Sequence, residues 1–228
     1  MKRPRLAAFL LLCLLVGMLA IINGPVRRAL HPALLWMRGT VTVEQKLAEL
    51  APAEARLIAR FQHAGVPFPP PKAALVGLKS ERSLQIYAQS SDGTWSPITQ
   101  FPIIAASGTI GPKLFEGDRQ VPEGIYAAEA LNPNSRFHVS VRIGYPNEDD
   151  KRQARLDGRT KLGGDIMIHG GASSVGCLAI GDPAAEKVFS LAARVGLPNI
   201  KIVLAPSDLR TAPIPADPSL ARAVLEWV

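Results

Sequence analysis

The chain is poor in cysteine and aromatics and has no long run of one charge. Only Cys13 and Cys177 occur in 228 residues, which excludes a disulfide scaffold and a cysteine-rich zinc module. One exported cysteine and four scattered histidines make no zinc cage. The eight-residue step from His169 to Cys177 also matches no common ligand pair, so no metal and no cofactor is expected. Neither G-x-G-x-x-G nor G-x-x-x-x-G-K-[ST] occurs, which leaves nucleotide binding without support. Lys and Arg are nowhere clustered with aromatics, and nucleic acid is disfavoured as a partner. Gly171-Ala172-Ser173-Ser174-Val175 lacks the closing glycine of a serine nucleophile elbow.

What is present is enough apolar residue, 47%, to build a core, in a length that allows one domain with appendages. Mean hydropathy is +0.14, too low for a polytopic membrane protein and high for a plain soluble one. The excess is local. Leu6 to Ile22 is an uncharged run of seventeen residues, preceded by Lys2, Arg3 and Arg5 and closed by Asn23-Gly24-Pro25. It is longer than the usual apolar region of a cleaved signal, and bulky Met18, Ile21 and Ile22 stand where small residues precede a cleavage site. Residues 1–25 therefore read as a signal anchor, near the lower limit of a spanning helix. The basic N-terminus keeps that end in the cytoplasm. The expected placement is a single pass through the inner membrane with a periplasmic domain; the alternative is release to the periplasm after cleavage. Without the first 24 residues the net charge falls from +7 to +4, which suits an anionic envelope.

Residues 26–71 read as a helical linker. Thr42-Val43-Glu44-Gln45 has the form of a capping box, and apolar residues recur at helical spacing as far as Gly65, with a break allowed at Pro52. Pro67-Phe68-Pro69-Pro70-Pro71 stops the helix. From residue 72 to 228 the period shortens. Strands are expected near Ala73–Leu78, Leu84–Tyr87, Trp95–Ala105, Gly124–Tyr126, Phe137–Ile143, Asp165–His169 and Ile200–Leu204, with helices at Pro183–Val195 and Pro218–Trp227. The fold class is mainly β within α+β.

One segment carries chemistry. Asp165-Ile-Met-Ile-His169 is an apolar strand ending in histidine; Gly170-Gly171-Ala-Ser173-Ser174-Val-Gly176 then delivers Cys177. A free thiol titrates near 8.5 and needs help to act as a nucleophile at neutral pH. An imidazole in reach takes its proton and stabilises the thiolate as an ion pair. Glycines flanking the sulfur make poor core filling but allow tight turns, and the Gly176 and Cys177 amides are candidates for an oxyanion hole. With Cys13 in the membrane run, Cys177 is a lone exported thiol without a disulfide partner. These features favour nucleophile Cys177 with base His169 over a buried structural pair.

At these residues the chain resembles YkuD-type L,D-transpeptidase catalytic domains, whose signature is His-Gly followed by [ST]-x-G-C-apolar-Arg. Here it reads His169-Gly170 and Ser174-Val175-Gly176-Cys177-Leu178. Gly111-Pro-Lys113, Val121-Pro122-Glu123-Gly124, Leu131 to His138 and Gly144-Tyr145-Pro146-Asn147 resemble the YafK-like branch. The resemblance implies a YkuD-like β-sandwich or barrel acting on peptidoglycan stem peptides. Cys177 would attack the carbonyl at the L-centre of diaminopimelate to form a thioester, which an amine or water resolves. His169 would serve as general base and acid, the Gly170 carbonyl would orient its ring, and the Gly176 amide would hold the oxyanion. Ser174, Arg136 and His138 are candidate substrate contacts, with a loop-shaping role for Ser174 and a scaffold role for His138 as the plainer readings. Ala179 stands where the family pattern has arginine. YafK-like members share this departure and are linked also to hydrolytic release of a lipoprotein bound to peptidoglycan, which makes that amidase the alternative function and that lipoprotein a candidate partner. A non-catalytic envelope-binding module is the reading from a different class. It gives no reason to keep both His169 and Cys177. A sortase-like enzyme lacks its Thr-Leu-x-Thr-Cys pattern here.

Overall fold

The computed structural model describes residues 39–211. The chain divides into two units, residues 1–41 and 42–228. The expected membrane run Leu6–Ile22 and the expected helix Pro218–Trp227 lie outside the described residues. No helix among the described residues is long and apolar enough to cross a membrane.

The second unit opens with helices α1 (Val43–Glu49) and α2 (Ala51–His63). Thr42 caps α1 through a complete capping box with Gln45, and Pro52 sits in the first turn of α2, where its missing N–H is no loss. Leu57 and Phe61 of α2 are fully buried in the same apolar core as the sheet, and α2 packs against helix α4 (Asp182–Val195). The helical stretch from Val43 to His63 thus packs within the second unit. The physical reason is burial: each large apolar side chain withdrawn from water contributes about 1.5–3 kcal/mol.

Eight strands follow: β1 (Lys72–Leu78), β2 (Ser83–Gln89), β3 (Trp95–Pro102), β4 (Gly124–Ser135), β5 (His138–Ile143), β6 (Met167–His169), β7 (Leu178–Ala179) and β8 (Ile200–Ala205). They form one sheet in the order β3-β2-β1-β8-β4-β5-β6-β7, with β1–β8 and β6–β7 parallel and the other pairs antiparallel. Among the described residues, a mainly β structure with four α-helices is the α+β class expected from sequence. The last strand does not end the hydrogen bonding. Ala179 of β7 bridges Ala105, and its carbonyl accepts from Ile104 N at 2.8 Å, so the chain just past β3 meets the opposite end of the sheet order.

Helix α4 begins at Pro183 in its first turn and ends before Gly196, whose φ of +84° suits glycine. Its face of Ala184, Ala185, Val188, Phe189, Leu191 and Ala192 is buried and packs on β5. Helix α3 (Glu148–Leu156) has no counterpart among the elements expected from sequence. Only Ala154 is buried in it, so it carries no apolar period; a capping box between Asn147 and Asp150 starts it instead.

Candidate active site

His169 ends β6 and Cys177 directly precedes β7. The parallel register sets Ile168 opposite Leu178 and His169 opposite Ala179. Side chains alternate along a strand, so Cys177, two residues before Ala179, belongs to the face that carries His169. The loop between them is fixed at several points. Gly171 N donates to Asp182 Oδ1 at 2.7 Å, and Gly181 N to the Gly171 carbonyl at 3.1 Å. Cys177 N donates to Ser174 Oγ at 3.0 Å. Gly176, at φ +80°, donates its N–H to Ser107 Oγ at 2.7 Å, and that hydroxyl donates onward to the Arg119 carbonyl at 2.6 Å.

The histidine is held tightly. Its Nδ1 stands 2.6 Å from the Gly170 carbonyl oxygen. A carbonyl only accepts, so Nδ1 carries the proton and Nε2 is left as the basic nitrogen. The Phe137 ring lies against the imidazole, with centroids 4.4 Å apart and planes tilted by 31°. His169 is buried, and burial lowers its pKa, partly offset by the Gly170 bond. Cys177 is half-buried, and its thiol donates to the Asp165 carbonyl at 3.6 Å. Burial raises the thiol pKa foremost and the Asp165 charge adds to it, against lowering by the Met167 backbone, Lys113 and Ser174. Both shifts disfavour the charged forms of the pair.

The remaining expected contacts divide. Ser174 shapes the loop by accepting from the Cys177 amide. Both amides considered for an oxyanion hole, Gly176 and Cys177, donate to serine hydroxyls. His138 points its Nε2 at Glu186 of α4, 2.9 Å away. Arg136 is exposed in the two-residue turn between β4 and β5, beside Phe137. The Asp165 carboxylate pairs with Arg142 at 3.0 Å while its carbonyl, aimed by a left-handed backbone of φ +56°, meets the thiol. Ser107, Phe137 and Asp182 were not legible as site residues. No motif marks them, since each acts through the fold from a distant stretch of chain. Among the described residues, no group of three or more His, Cys, Asp or Glu side chains is placed to hold a metal ion.

No protein-family model matches the chain. Over 139 residues it is 30% identical to YafK of Escherichia coli strain K12, a protein provisionally named an L,D-transpeptidase, and equally to its counterpart in E. coli O157:H7. This chain is similar to YafK. The match covers 59% of this chain and 54% of YafK, so the chain spans about half the length of the curated relatives it matches. Among solved structures, the helical cell shape determining protein Pgp2 of Campylobacter jejuni aligns with 60% of this chain and 48% of its own, at 23% identity and a TM-score of 0.49. Bd1075 of Bdellovibrio bacteriovorus aligns with 68% and 54%, at 20% identity and a TM-score of 0.44. The likeness to YafK spans 139 residues, more than the His-Gly and Ser-x-Gly-Cys segments alone could account for.

Proposed function

We propose that the chain is a cysteine enzyme of the L,D-transpeptidase type, acting at the L-centre of diaminopimelate in peptidoglycan stem peptides. The observation that carries this reading is the His169–Gly170 bond, which leaves Nε2 basic on the strand face that also carries Cys177. In the first step Nε2 takes the thiol proton as sulfur attacks the carbonyl carbon. The tetrahedral oxyanion accepts the Gly176 and Cys177 amides, which exchange their Ser107 and Ser174 partners for it. Collapse breaks the C–N bond, the imidazolium gives its proton to the departing amine, and a thioester remains. An acceptor amine, deprotonated by His169, then attacks the thioester and releases the thiol. We place this site in the periplasm, behind the expected N-terminal anchor.

A second reading changes only the bonds at either end of that sequence. With a lipoprotein amine as leaving group and water as acceptor, the same site is an amidase. Ala179 favours it, because the nucleophile strand lacks the arginine of the family pattern and presents a fully buried methyl group instead. Incubating the protein with lipoprotein-bearing sacculi and analysing the products by mass spectrometry separates the readings. Diaminopimelate–diaminopimelate crosslinks support transpeptidation, released lipoprotein supports the amidase, and an unchanged muropeptide profile contradicts both.

A further inference from the structure

The Gly170–Gly171 peptide carries two bonds that connect His169 to helix α4. On one side its carbonyl accepts from His169 Nδ1 at 2.6 Å. On the other its N–H donates to Asp182 Oδ1 at 2.7 Å. The C=O and N–H of a trans peptide point in opposite directions, so the imidazole and the carboxylate stand on opposite sides of one planar amide. Both distances lie at the short end for N–H···O bonds, where charge-assisted ones fall.

Asp182 stands in the first turn of α4, where an acidic residue commonly serves the helix itself. Here the N-cap is Gly181 and no side chain caps the helix; the Asp182 carboxylate reaches out to Gly171 instead. The contact is built in. Gly181 N donates to the Gly171 carbonyl at 3.1 Å and Ile180 N to the His169 carbonyl at 3.0 Å, which laces the end of β6 to the start of α4 on both sides of the peptide. A Cβ on Gly170 would stand 2.4 Å from Asp182 Oδ1, so the carboxylate lies directly against that peptide. Two acidic side chains on neighbouring segments are engaged elsewhere, Asp165 with Arg142 and Glu186 with His138.

We propose that Asp182 is a positioning residue that acts on His169 through this peptide, as the carboxylate of a Ser-His-Asp triad acts on its histidine directly. This inference rests on the reading above, in which Nε2 takes the thiol proton. The ring then becomes positive and draws harder on the Gly170 carbonyl. An amide answers by shifting electrons from nitrogen to oxygen, which leaves its N–H more positive. An anion that accepts this N–H stabilises the shift, and the two bonds strengthen each other. No proton crosses the peptide, and Asp182 stays ionised throughout.

Asp182→Asn separates charge from shape, because the asparagine carbonyl oxygen accepts from Gly171 N as the carboxylate does. His169 is titrated by NMR, and acylation of Cys177 by a stem tetrapeptide is followed over pH. On the plateau the variant should acylate about 10-fold more slowly, the difference between a bond to a charged and to a neutral acceptor. Loss of the anion disfavours the imidazolium, so the His169 titration and the acidic limb should both move to lower pH. Wild-type rate and titration in Asp182→Asn would mean a merely structural contact and overturn the proposal. Should that variant not fold, the wild-type protein carries the test. Its Gly171 amide and Asp182 carboxyl carbon should shift together at the His169 midpoint, and a shift confined to the ring overturns the proposal. If the titration moves in Asp182→Asn while no peptide acylates Cys177, the link through the peptide holds and the catalytic reading fails. If acylation requires His169 but neither rate nor titration changes in Asp182→Asn, the catalytic reading holds and the link fails.

Discussion

His169 and Ala179 are register partners across the parallel pair β6–β7, and the His169 carbonyl accepts the N–H of Ile180 at 3.0 Å. The residue directly opposite His169 is therefore the one where the family pattern has arginine. Ala179 has no exposed surface, and its backbone is bound to Ile104 and Ala105 on its other side. Ala179→Arg should not restore a family-like site. It should lower stability by about 1–3 kcal/mol through overpacking, read as a lower urea midpoint at unchanged slope.

Gly170 offers a sharper probe of the base. A Cβ at this position would stand 2.4 Å from Asp182 Oδ1 and 2.6 Å from the Phe137 carbonyl oxygen, so the backbone has to move. Its carbonyl would then leave His169 Nδ1. Gly170→Ala should retain the fold by circular dichroism yet reduce kcat/KM by about 100-fold, the scale of an ångström of misplacement.

Burial of both partners fixes the expected pH dependence. Under the proposed mechanism the reactive form is neutral imidazole with neutral thiol. It is lost when His169 protonates, below the ordinary histidine value of 6.5, and when the thiol ionises, above 9.0. The profile of kcat/KM should be flat between those limits. Alkylation of Cys177 by iodoacetamide should be slow at pH 7 and rise only toward alkaline pH. Fast alkylation near pH 6 would mean a resting thiolate.

Helices α1 and α2 should be indispensable. Phe61 is fully buried and meets the Phe68 ring edge-on at 5.1 Å, and Glu54 of α2 is ion-paired with Arg194 of α4, with Arg194 Nη2 2.9 Å from Glu54 Oε2. Protein that starts at residue 72 should fail to fold, whereas protein that starts at residue 39 should unfold cooperatively. Phe61→Ala should cost about 3–5 kcal/mol, while Glu54→Gln, whose partner is half exposed, should cost about 1 kcal/mol or less. Chemical denaturation measures all four.

Much of this architecture was legible from local pattern. Seven of the strands follow apolar alternation, and α4 follows Pro183 and Gly196, because those signals lie within a few residues of what they specify. Helix α3 was not legible, since a polar helix held by its cap has no apolar period. The candidate pair His169 and Cys177 was legible because His169, Gly170, Gly176 and Cys177 lie in one short stretch. Ser107, Arg119, Phe137 and Asp182 reach the same site from four separate parts of the chain. Only the register of β5, β6 and β7 and the Ala105–Ala179 bridge bring them there.

The central claim is that Cys177 forms a thioester with the L-centre carbonyl of diaminopimelate while His169 manages the proton. Intact-protein mass spectrometry after brief incubation with a stem tetrapeptide tests it most directly. The account predicts an adduct equal to the peptide minus its terminal D-alanine, located on Cys177 and released by hydroxylamine. The adduct should be absent in Cys177→Ala and form at least about 100-fold more slowly in His169→Gln. Folded protein that releases D-alanine with no adduct on Cys177, or that acylates as fast without His169, would contradict it.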